Sequence, residues 1–404
     1  MDVPVKYIKK EIVYASASFF QSHEIFKDNF FSNSPPGVFI GSKLKYPQMN
    51  IGILAPPEKV ENAWLYNAQE FWAANNFNIN HILRLRGNLV NSRFESSAYQ
   101  AKQQSRFAGL AQDIGMAKKP VDVEIYLKKK VKLQLNPDAV TLPMGPRAPL
   151  KNAILASNPM VETRVDKVMS DTDLKAADAV NYLYNHTFPE HALSQLLSIG
   201  VLGLKKNRKF VSTKWSITAV DDIIGKKLLE DIREYPVMNE YQLFLGHYVG
   251  NYYLILMFPE VFSYELFEMY LPGSAWNSAA AVHASTDYED YEGRKDYASN
   301  CVGGYYAARL PIAHYLHAMK RQAAVLVIRF ETPEYWIGLG VFVVREASRK
   351  AINSHPIIFD TKEAMLTYVK QYIKEKFKFD VDNILQKSIL LNAIKTQTKL
   401  SKFF

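Results

Sequence analysis

The sequence contains a single cysteine, Cys301, among its 404 residues. Because a disulfide needs two thiols and a cysteine-based zinc finger needs several, an internal disulfide framework and such a zinc site are both excluded. No stretch approaches the roughly 18 consecutive apolar residues of a membrane-spanning helix, and the first residues lack the apolar core of a signal peptide. These absences predict a cytoplasmic protein, in a reducing compartment and without a membrane partner.

The common nucleotide-binding and hydrolase motifs are missing as well. No GxxxxGK[ST] loop is present, and neither GxGxxG after a strand nor GxSxG occurs. No motif typical of a nucleophile surrounds Cys301. The sequence therefore disfavours ATP hydrolysis, dehydrogenase chemistry and serine-hydrolase chemistry, and it specifies neither a cofactor nor an oligomeric state.

The chain is rich in apolar residues and carries an excess of positive charge. Hydrophobic residues make up 48% of it, including 24 Tyr, 23 Phe and 5 Trp, which is enough for a large core. The formal net charge is +9 and the pI is near 9.2, an excess that suits a polyanionic partner such as DNA.

The pattern of elements predicts an α+β fold. We expect one large mixed α/β body, or two intimately packed halves at residues 1–237 and 238–378, followed by a flexible tail at 379–404. The clearest strand is Val121–Leu127, where apolar and polar residues alternate, and the alternation resumes from Val131 to Leu135. The chain from 208 to 222 is predicted to be extended before a helix at 223–233, and Gly340–Val344 is predicted to be a strand.

The last eight residues, QTKLSKFF, carry a regular spacing of large side chains. Gln397, Leu400 and Phe403 recur every third residue, so one 3₁₀ turn would place them on one face, and Phe404 would extend that face. The pattern resembles the PCNA-interacting peptide (PIP box) by which DNA-processing proteins bind the sliding clamp. The alternative is a terminal helix whose apolar end packs onto its own domain.

Basic, hydroxyl and aromatic residues precede a pair of carboxylates between residues 208 and 222. The candidate catalytic or nucleic-acid-binding residues of this block are Arg208, Lys214, Trp215, Ser216, Thr218, Asp221 and Asp222. The cations and hydroxyls suit a phosphate, the indole suits stacking on an unpaired base, and a carboxylate suits a hard cation or a general base. The alternative is a buried Trp beside an Asp that caps the following helix.

A second acidic group interleaves with tyrosines between residues 287 and 292. Asp287, Glu289, Asp290 and Glu292 would suit metal-assisted phosphodiester chemistry if they converged, whereas a solvated acidic loop is the simpler interpretation. No metal ligand set is assigned.

Several segments spread over most of the chain resemble the archaeal Nre family of DNA-repair proteins. They are GVFIGSKLKYPQMNIG (37–52), VDVEIYL (121–127), LPMGPRAPL (142–150), NPMVETRVDKVMSDTDLKAADAV (158–180), LLSIGVLGLKKNRKFVSTKWSITAVDD (196–222), GGYYAARLPIAHYL (303–316) and the closing PIP-like peptide. The resemblance implies a role in DNA-damage repair through the PCNA sliding clamp. Two classes stay open: a clamp-tethered DNA-binding or scaffold factor, and a clamp-tethered enzyme acting on DNA or a nucleotide.

Overall fold

A computed structural model describes residues 28–42, 44–103, 105–131 and 140–396. The chain divides into two units, each built around one six-stranded sheet with helices. Unit 1 comprises the chain up to Ile224 together with Ile337–Phe342, and unit 2 comprises Gly225–Trp336 and the chain from Val343 onward. The α+β fold predicted from the sequence is confirmed. Within the described ranges, no helix is long and apolar enough to cross a membrane.

The sheet of unit 1 is mostly antiparallel. Its strands are β1 (Asn29–Ser34), β2 (Val38–Ile40), β3 (Gln48–Ala55), β4 (Val90–Ser97), β5 (Val121–Leu127) and β6 (Arg147–Leu155). They are ordered β1-β5-β6-β4-β3-β2, and only the β4–β6 pair is parallel. Strand β5 alternates buried and half-buried residues as its sequence predicts, whereas 132–139, which hold most of the second predicted run, lie outside the described residues.

Six α-helices lie wholly within unit 1 in the described part of the chain, and a seventh begins before Ile224 and continues into unit 2. They are α1 (Gln69–Ala74), α2 (Ile79–Gly87), α3 (Arg106–Met116), α4 (Thr163–Ser170), α5 (Ala176–Tyr184), α6 (Glu190–Ser198) and α7 (Thr213–Ile232). The prediction of extended chain from 208 to 222 is wrong from Thr213 onward. Since Ser216, Val220 and Asp221 are all fully buried, polar and apolar positions do not separate onto two faces, and the helical period is obscured.

The sheet of unit 2 has a fully buried central strand. Its strands are β7 (Tyr241–Tyr248), β8 (Asn251–Phe258), β9 (Ser263–Tyr270), β10 (His283–Glu289), β11 (Ala324–Glu331) and β12 (Ile357–Phe359). They are ordered β10-β9-β11-β8-β7-β12, and β11 pairs parallel to β9 and antiparallel to β8. Val249 and Gly250 both have positive φ, the conformation that a two-residue hairpin turn between β7 and β8 requires.

The later helices are α8 (Val302–Met319), α9 (Val341–Ile352), α10 (Lys362–Phe377), α11 (Asp382–Lys387) and α12 (Ile389–Thr396). The prediction of a strand at Gly340–Val344 is wrong, because α9 begins at Val341. All residues from 341 to 348 are buried, so this β-branched run gives no amphipathic signal that would distinguish a helix from a strand.

The last two described helices are part of the core of unit 2. Val381, Leu385, Leu390 and Leu391 are buried in the same apolar cluster as the strands of its sheet. Packed structure therefore continues to residue 396, beyond the boundary at 378 that the thinning sequence pattern predicted. The clamp-binding residues Gln397, Leu400, Phe403 and Phe404 lie outside the described residues, and their role stays a prediction.

Candidate nucleic-acid interface

Two exposed tyrosines of unit 1 form an aromatic platform flanked by lysines. Tyr46 and Tyr99 are 53% and 45% exposed, and their ring centroids lie 6.0 Å apart in an edge-to-face arrangement. Lys209 Nζ lies 5.7 Å from the ring centroid of Tyr46, and Lys102 Nζ lies 5.9 Å from that of Tyr99. We call the surface formed by Tyr46, Tyr99, Lys102, Arg106, Lys205, Arg208 and Lys209 the basic–aromatic face.

Distant segments of the sequence build this face. After β4, the side chain of Ser97 accepts a hydrogen bond from the N–H of Tyr99, which opens a 3₁₀ turn at Ala98–Lys102. The N–H of Phe210 donates to the carbonyl of Ala98 at 2.9 Å, which brings the adjacent Lys209 to the platform. Helix α6 can turn into this segment because Gly200 has a φ of +70° and any Cβ there would lie 2.5 Å from the carbonyl oxygen of Lys209.

A hollow of about 460 Å³ belongs to the same face. Its charged lining residues are Lys102, Arg106, Asp113, Lys205 and Arg208. Four of these five are cationic, and burial raises the pKa of the Asp113 carboxyl, which lowers the cost of neutralising that one acid. The hollow therefore suits an anionic group.

Hydrogen bonds from a buried glutamine hold the walls of the hollow in place. Gln112 donates through Nε2 to the carbonyls of Ala101 and Ile199 at 2.9 and 3.0 Å. Lys102 Nζ donates to the carbonyl of Lys206 at 2.8 Å while its side chain stays exposed. These hydrogen bonds therefore fix the positions of the backbone segments that carry the cations.

The platform also perturbs its own hydroxyl groups. The hydroxyl oxygens of Tyr46 and Tyr99 lie 3.2 Å apart. Their hydrogen bond lowers the pKa of Tyr46, an effect to which the charge of Lys209 adds, and it raises the pKa of Tyr99. The two hydroxyls are thus linked to each other, with Tyr46 as the donor.

Arg208, the first residue of the predicted block, belongs to the basic–aromatic face but mainly holds backbone together. Its guanidinium donates to the carbonyls of Gly203, Met169 and Asp171 at 2.8, 2.7 and 2.8 Å. It contributes positive charge to the hollow, although its donors are largely occupied.

The rest of the predicted block is divided among several faces of α7. Lys214, Thr218 and Asp221 recur at three- and four-residue spacing and share one face, whereas Ser216 lies on the opposite side. The hydroxyl of Thr218 donates to the carbonyl of Lys214 at 3.4 Å, and Asp221 is fully buried. Trp215 is 55% exposed, contrary to the buried alternative, and Asp222 is half-buried. The block does not form one convergent phosphate site.

The second acidic group also has partners inside the protein. Asp287 accepts N–H groups of Asn300 and Cys301 at 3.0 and 2.7 Å and pairs with Arg294 at 3.2 Å. Glu289 pairs with the buried Arg309 at 2.8 Å. Within the described ranges, no group of three or more His, Cys, Asp or Glu side chains has the arrangement of a metal site. These carboxylates stabilise unit 2 rather than converge on an open cleft.

Sequence reasoning missed Tyr46, Tyr99 and Lys209. Each is an ordinary surface residue in its own segment, and only the fold brings positions 46, 99 and 209 together. The sole sequence signal was the overall excess of positive charge.

The chain matches known proteins along most of its length. The N-terminal model of archaeal Nre matches residues 11–277, and the C-terminal model matches residues 289–403. The chain is 35% identical over 347 residues to the DNA repair protein NreA of Archaeoglobus fulgidus, covering 85% of each chain. It is 33% identical to NreA of Haloferax volcanii, covering 86% of this chain and 83% of the relative.

A third relative is the DNA repair protein NreB of Archaeoglobus fulgidus. It is 33% identical over 367 residues, covering 91% of this chain and 90% of the relative. No solved structure gives a significant match. Because the two family models together span nearly the whole sequence, the chain belongs to the archaeal Nre family.

Proposed function

We propose that this protein is a DNA-repair factor that binds DNA through the basic–aromatic face and is recruited by the PCNA sliding clamp through residues 397–404. The relatives named as DNA repair proteins support the general role. The observation that carries the DNA-binding part is the exposed pair of tyrosines with a lysine beside each ring and a cationic hollow next to them.

This combination fits single-stranded rather than duplex DNA. Unpaired bases stack on exposed aromatic rings with about 1–3 kcal/mol each, whereas duplex bases are already stacked. The lysines meet the phosphates and release condensed counterions, so affinity falls steeply as salt rises. Tyr46 and Tyr99 would supply the stacking, and Lys102 and Lys209 the charge.

Paired substitutions test the DNA-binding part. Lys102→Ala with Lys209→Ala should weaken binding of a fluorescent single-stranded oligonucleotide and flatten the slope of log affinity against log salt by about 1–2, because two phosphate contacts are lost. The matched control is Lys128→Ala with Lys129→Ala, which removes the same charge from exposed positions elsewhere in unit 1.

The platform should be separable from the charge. Tyr46→Ala with Tyr99→Ala should weaken binding at least tenfold while leaving the salt slope unchanged, because stacking releases no counterions. Equal losses in the control pair, or unchanged binding in both test pairs, would show that binding is diffuse and that the basic–aromatic face is not the site.

Clamp recruitment follows from the spacing of the closing peptide. Burying Leu400, Phe403 and Phe404 contributes roughly 1.5–3 kcal/mol each, and the entropy of association offsets part of that. We therefore expect a dissociation constant in the micromolar range. Deleting 397–404, or changing Phe403 and Phe404 to Ala, should abolish clamp binding without changing the melting temperature.

Titrating the isolated tail peptide against the homologous clamp measures this affinity directly. No binding at hundreds of micromolar peptide, or loss of the folded body on truncation, would favour the alternative in which the peptide packs on its own domain. Mixing the peptide with the truncated body then identifies that contact.

A clamp-tethered enzyme using the 208–222 block has weaker support. Ser216 lies on the opposite side of α7 from Lys214, Thr218 and Asp221, and Asp221 and Ser216 are fully buried. Lys214→Ala with Asp222→Ala still distinguishes the classes. Loss of repair with DNA affinity, clamp affinity and melting temperature intact would favour the enzyme.

A further inference from the structure

A second hollow in unit 1 has the size and lining of a ligand pocket. Its volume is about 660 Å³, which lies within the usual range of small-molecule sites. Residues of α1, α3 and α6 contribute to its walls, and Met116 at the end of α3 lines both this pocket and the cationic hollow of the basic–aromatic face. The two hollows therefore adjoin at one helix end.

Two aromatic side chains of this pocket are open to solvent. Trp64 and Phe71 are 43% and 41% exposed, and their rings meet edge to face with centroids 5.1 Å apart. Exposed rings of this size on a pocket wall offer flat apolar area to a planar occupant. Phe188 and Met116 add apolar surface to the lining.

One buried donor in this lining has no hydrogen-bond partner among the residues that the structure describes. Gln195 Oε1 accepts the N–H of Val38 at 3.1 Å, which fixes the orientation of the amide, and its Nε2 is buried without a hydrogen bond. Gly115 makes room for this nitrogen, because a Cβ there would lie 3.1 Å from it. An unpaired buried N–H costs free energy unless an acceptor arrives. An occupant with a hydrogen-bond acceptor would satisfy it.

The charged groups of the pocket largely balance one another. Arg164 pairs with Glu162 at 2.9 Å, and His191 Nδ1 lies 2.9 Å from Glu70 Oε1. Lys118 also acts on Glu162, whose pKa stays low because the bonds from Arg164 outweigh its desolvation, so that acid is ionised. Formally, two cations face two carboxylates. This favours an uncharged occupant and disfavours a phosphate.

A nucleobase is an uncharged, planar molecule with hydrogen-bond acceptors, as the lining of this pocket requires. We propose that the pocket binds an unstacked base of the strand whose phosphates lie on the basic–aromatic face. This inference rests on the proposed DNA-binding function. Taking a base out of a single strand costs little compared with a duplex, and the aromatic wall replaces the lost stacking.

Free 2′-deoxynucleosides test the pocket itself because they carry no phosphate. Titration followed by ligand-detected NMR should show binding to the wild-type chain that Gln195→Glu and Trp64→Ala each weaken at least tenfold. Gln195→Glu keeps the acceptor for Val38 but removes the donor. The controls are Gln386→Glu, the same change at an exposed position of α11, and Tyr368→Ala, an exposed aromatic ring of α10 outside the pocket.

Oligonucleotides then distinguish a free nucleoside from a base within a strand. An oligomer with one base among abasic residues should bind more tightly than the fully abasic oligomer, and Gln195→Glu should remove that difference. Unchanged nucleoside affinity in both pocket variants, or an equal loss in the controls, would overturn the inference. A base-independent oligomer affinity would overturn its strand-bound form. If the proposed DNA-binding function is wrong, the result is different: the double variant Lys102→Ala with Lys209→Ala would bind the abasic oligomer as tightly as the wild type.

Discussion

Two cations of unit 1 and two of unit 2 differ in what surrounds them. In unit 1, Lys102 and Lys209 are exposed beside aromatic rings. In unit 2, Arg329 and Arg309 are almost completely buried and face carboxylates. An exposed cation keeps its capacity for a partner, whereas a buried ion pair is already committed to the fold. Residue type alone did not distinguish the two cases.

The network around Arg329 shows how fully a buried cation can be paired within the fold. Its guanidinium donates to Glu268 and, at 2.9 Å, to both Glu331 and Asn251. Tyr270 adds a hydrogen bond to Glu268 at 2.7 Å. Each buried charge has a partner of opposite sign, so removing one member leaves the others uncompensated.

The largest expected effect is on stability in unit 2. Arg329→Ala should lower the free energy of unfolding by about 3–5 kcal/mol, because it leaves Glu268 and Glu331 buried without their cation. Urea denaturation measures this loss. Arg321→Ala, an exposed arginine of the same unit, should change stability by no more than about 0.5 kcal/mol. Equal effects would break the distinction between buried and exposed cations.

A smaller effect depends on pH. Burial raises the pKa of Glu331 from 4.5 to about 7 despite Arg329. Between about pH 4.5 and 7, the folded state therefore keeps a proton on Glu331 that the unfolded chain releases. This group makes the free energy of unfolding fall as pH rises through that range, and its contribution is constant above about pH 7. The total change in the free energy of unfolding that this group can cause is at most about 3 kcal/mol.

Glu331→Gln should remove this contribution, because the amide does not titrate. The measurement is the difference in unfolding free energy between wild type and variant at pH 5, 6 and 7.5. The variant should gain relative to wild type as pH rises. A constant difference would mean that Glu331 is ionised throughout this range.

The buried carboxylate of Glu265 should have a local effect. It accepts the hydroxyl of Ser388 at 2.5 Å and the N–H groups of Ile389 and Leu390 at 3.0 Å each, which caps the start of α12. Glu265→Ala should cost about 1–3 kcal/mol. Hydrogen exchange should accelerate first in 389–396, whereas the exposed control Glu240→Ala should leave it unchanged.

The smallest expected effect tests whether Arg208 behaves as an exposed cation that can bind DNA or as a cation whose donors are already used within the fold. Arg208→Lys keeps the charge but cannot reproduce three directed hydrogen bonds, so it should lose about 1–2 kcal/mol of stability with an unchanged salt slope for DNA. Lys205→Ala, from the same hollow, should show the reverse. A smaller slope of log affinity against log salt in Arg208→Lys would show that the Arg208 guanidinium also contacts DNA.

Local sequence patterns predicted the elements whose two faces differ. Strand β5 could be identified because its inward and outward residues alternate. The second half of α7 was predicted as a helix, but its first part, from Thr213 to Asp222, and the start of α9 could not be identified, because buried residues lie on several sides there and the apolar period disappears. In α9 the β-branched run Val341, Val343 and Val344 pointed further toward a strand.

The candidate site was even less accessible to sequence reasoning. The predicted block is contiguous, and contiguous residues on a helix point in different directions. The basic–aromatic face instead joins three separate segments through two backbone hydrogen bonds, from Phe210 to Ala98 and from Ala98 to Pro47. Such a surface depends on tertiary pairing, which no local period encodes. The family resemblance, by contrast, could be read from the segments themselves.

The helix that Glu265 caps, α12, also limits how far the proposed clamp-binding peptide can reach. Helix α12 extends to Thr396, and the peptide begins at the next residue. Its eight residues can span at most about 28 Å even when fully extended. A clamp bound there would stay close to α12, at an effective concentration on the order of millimolar. Even a weak second contact between the clamp and unit 2 would then be occupied much of the time.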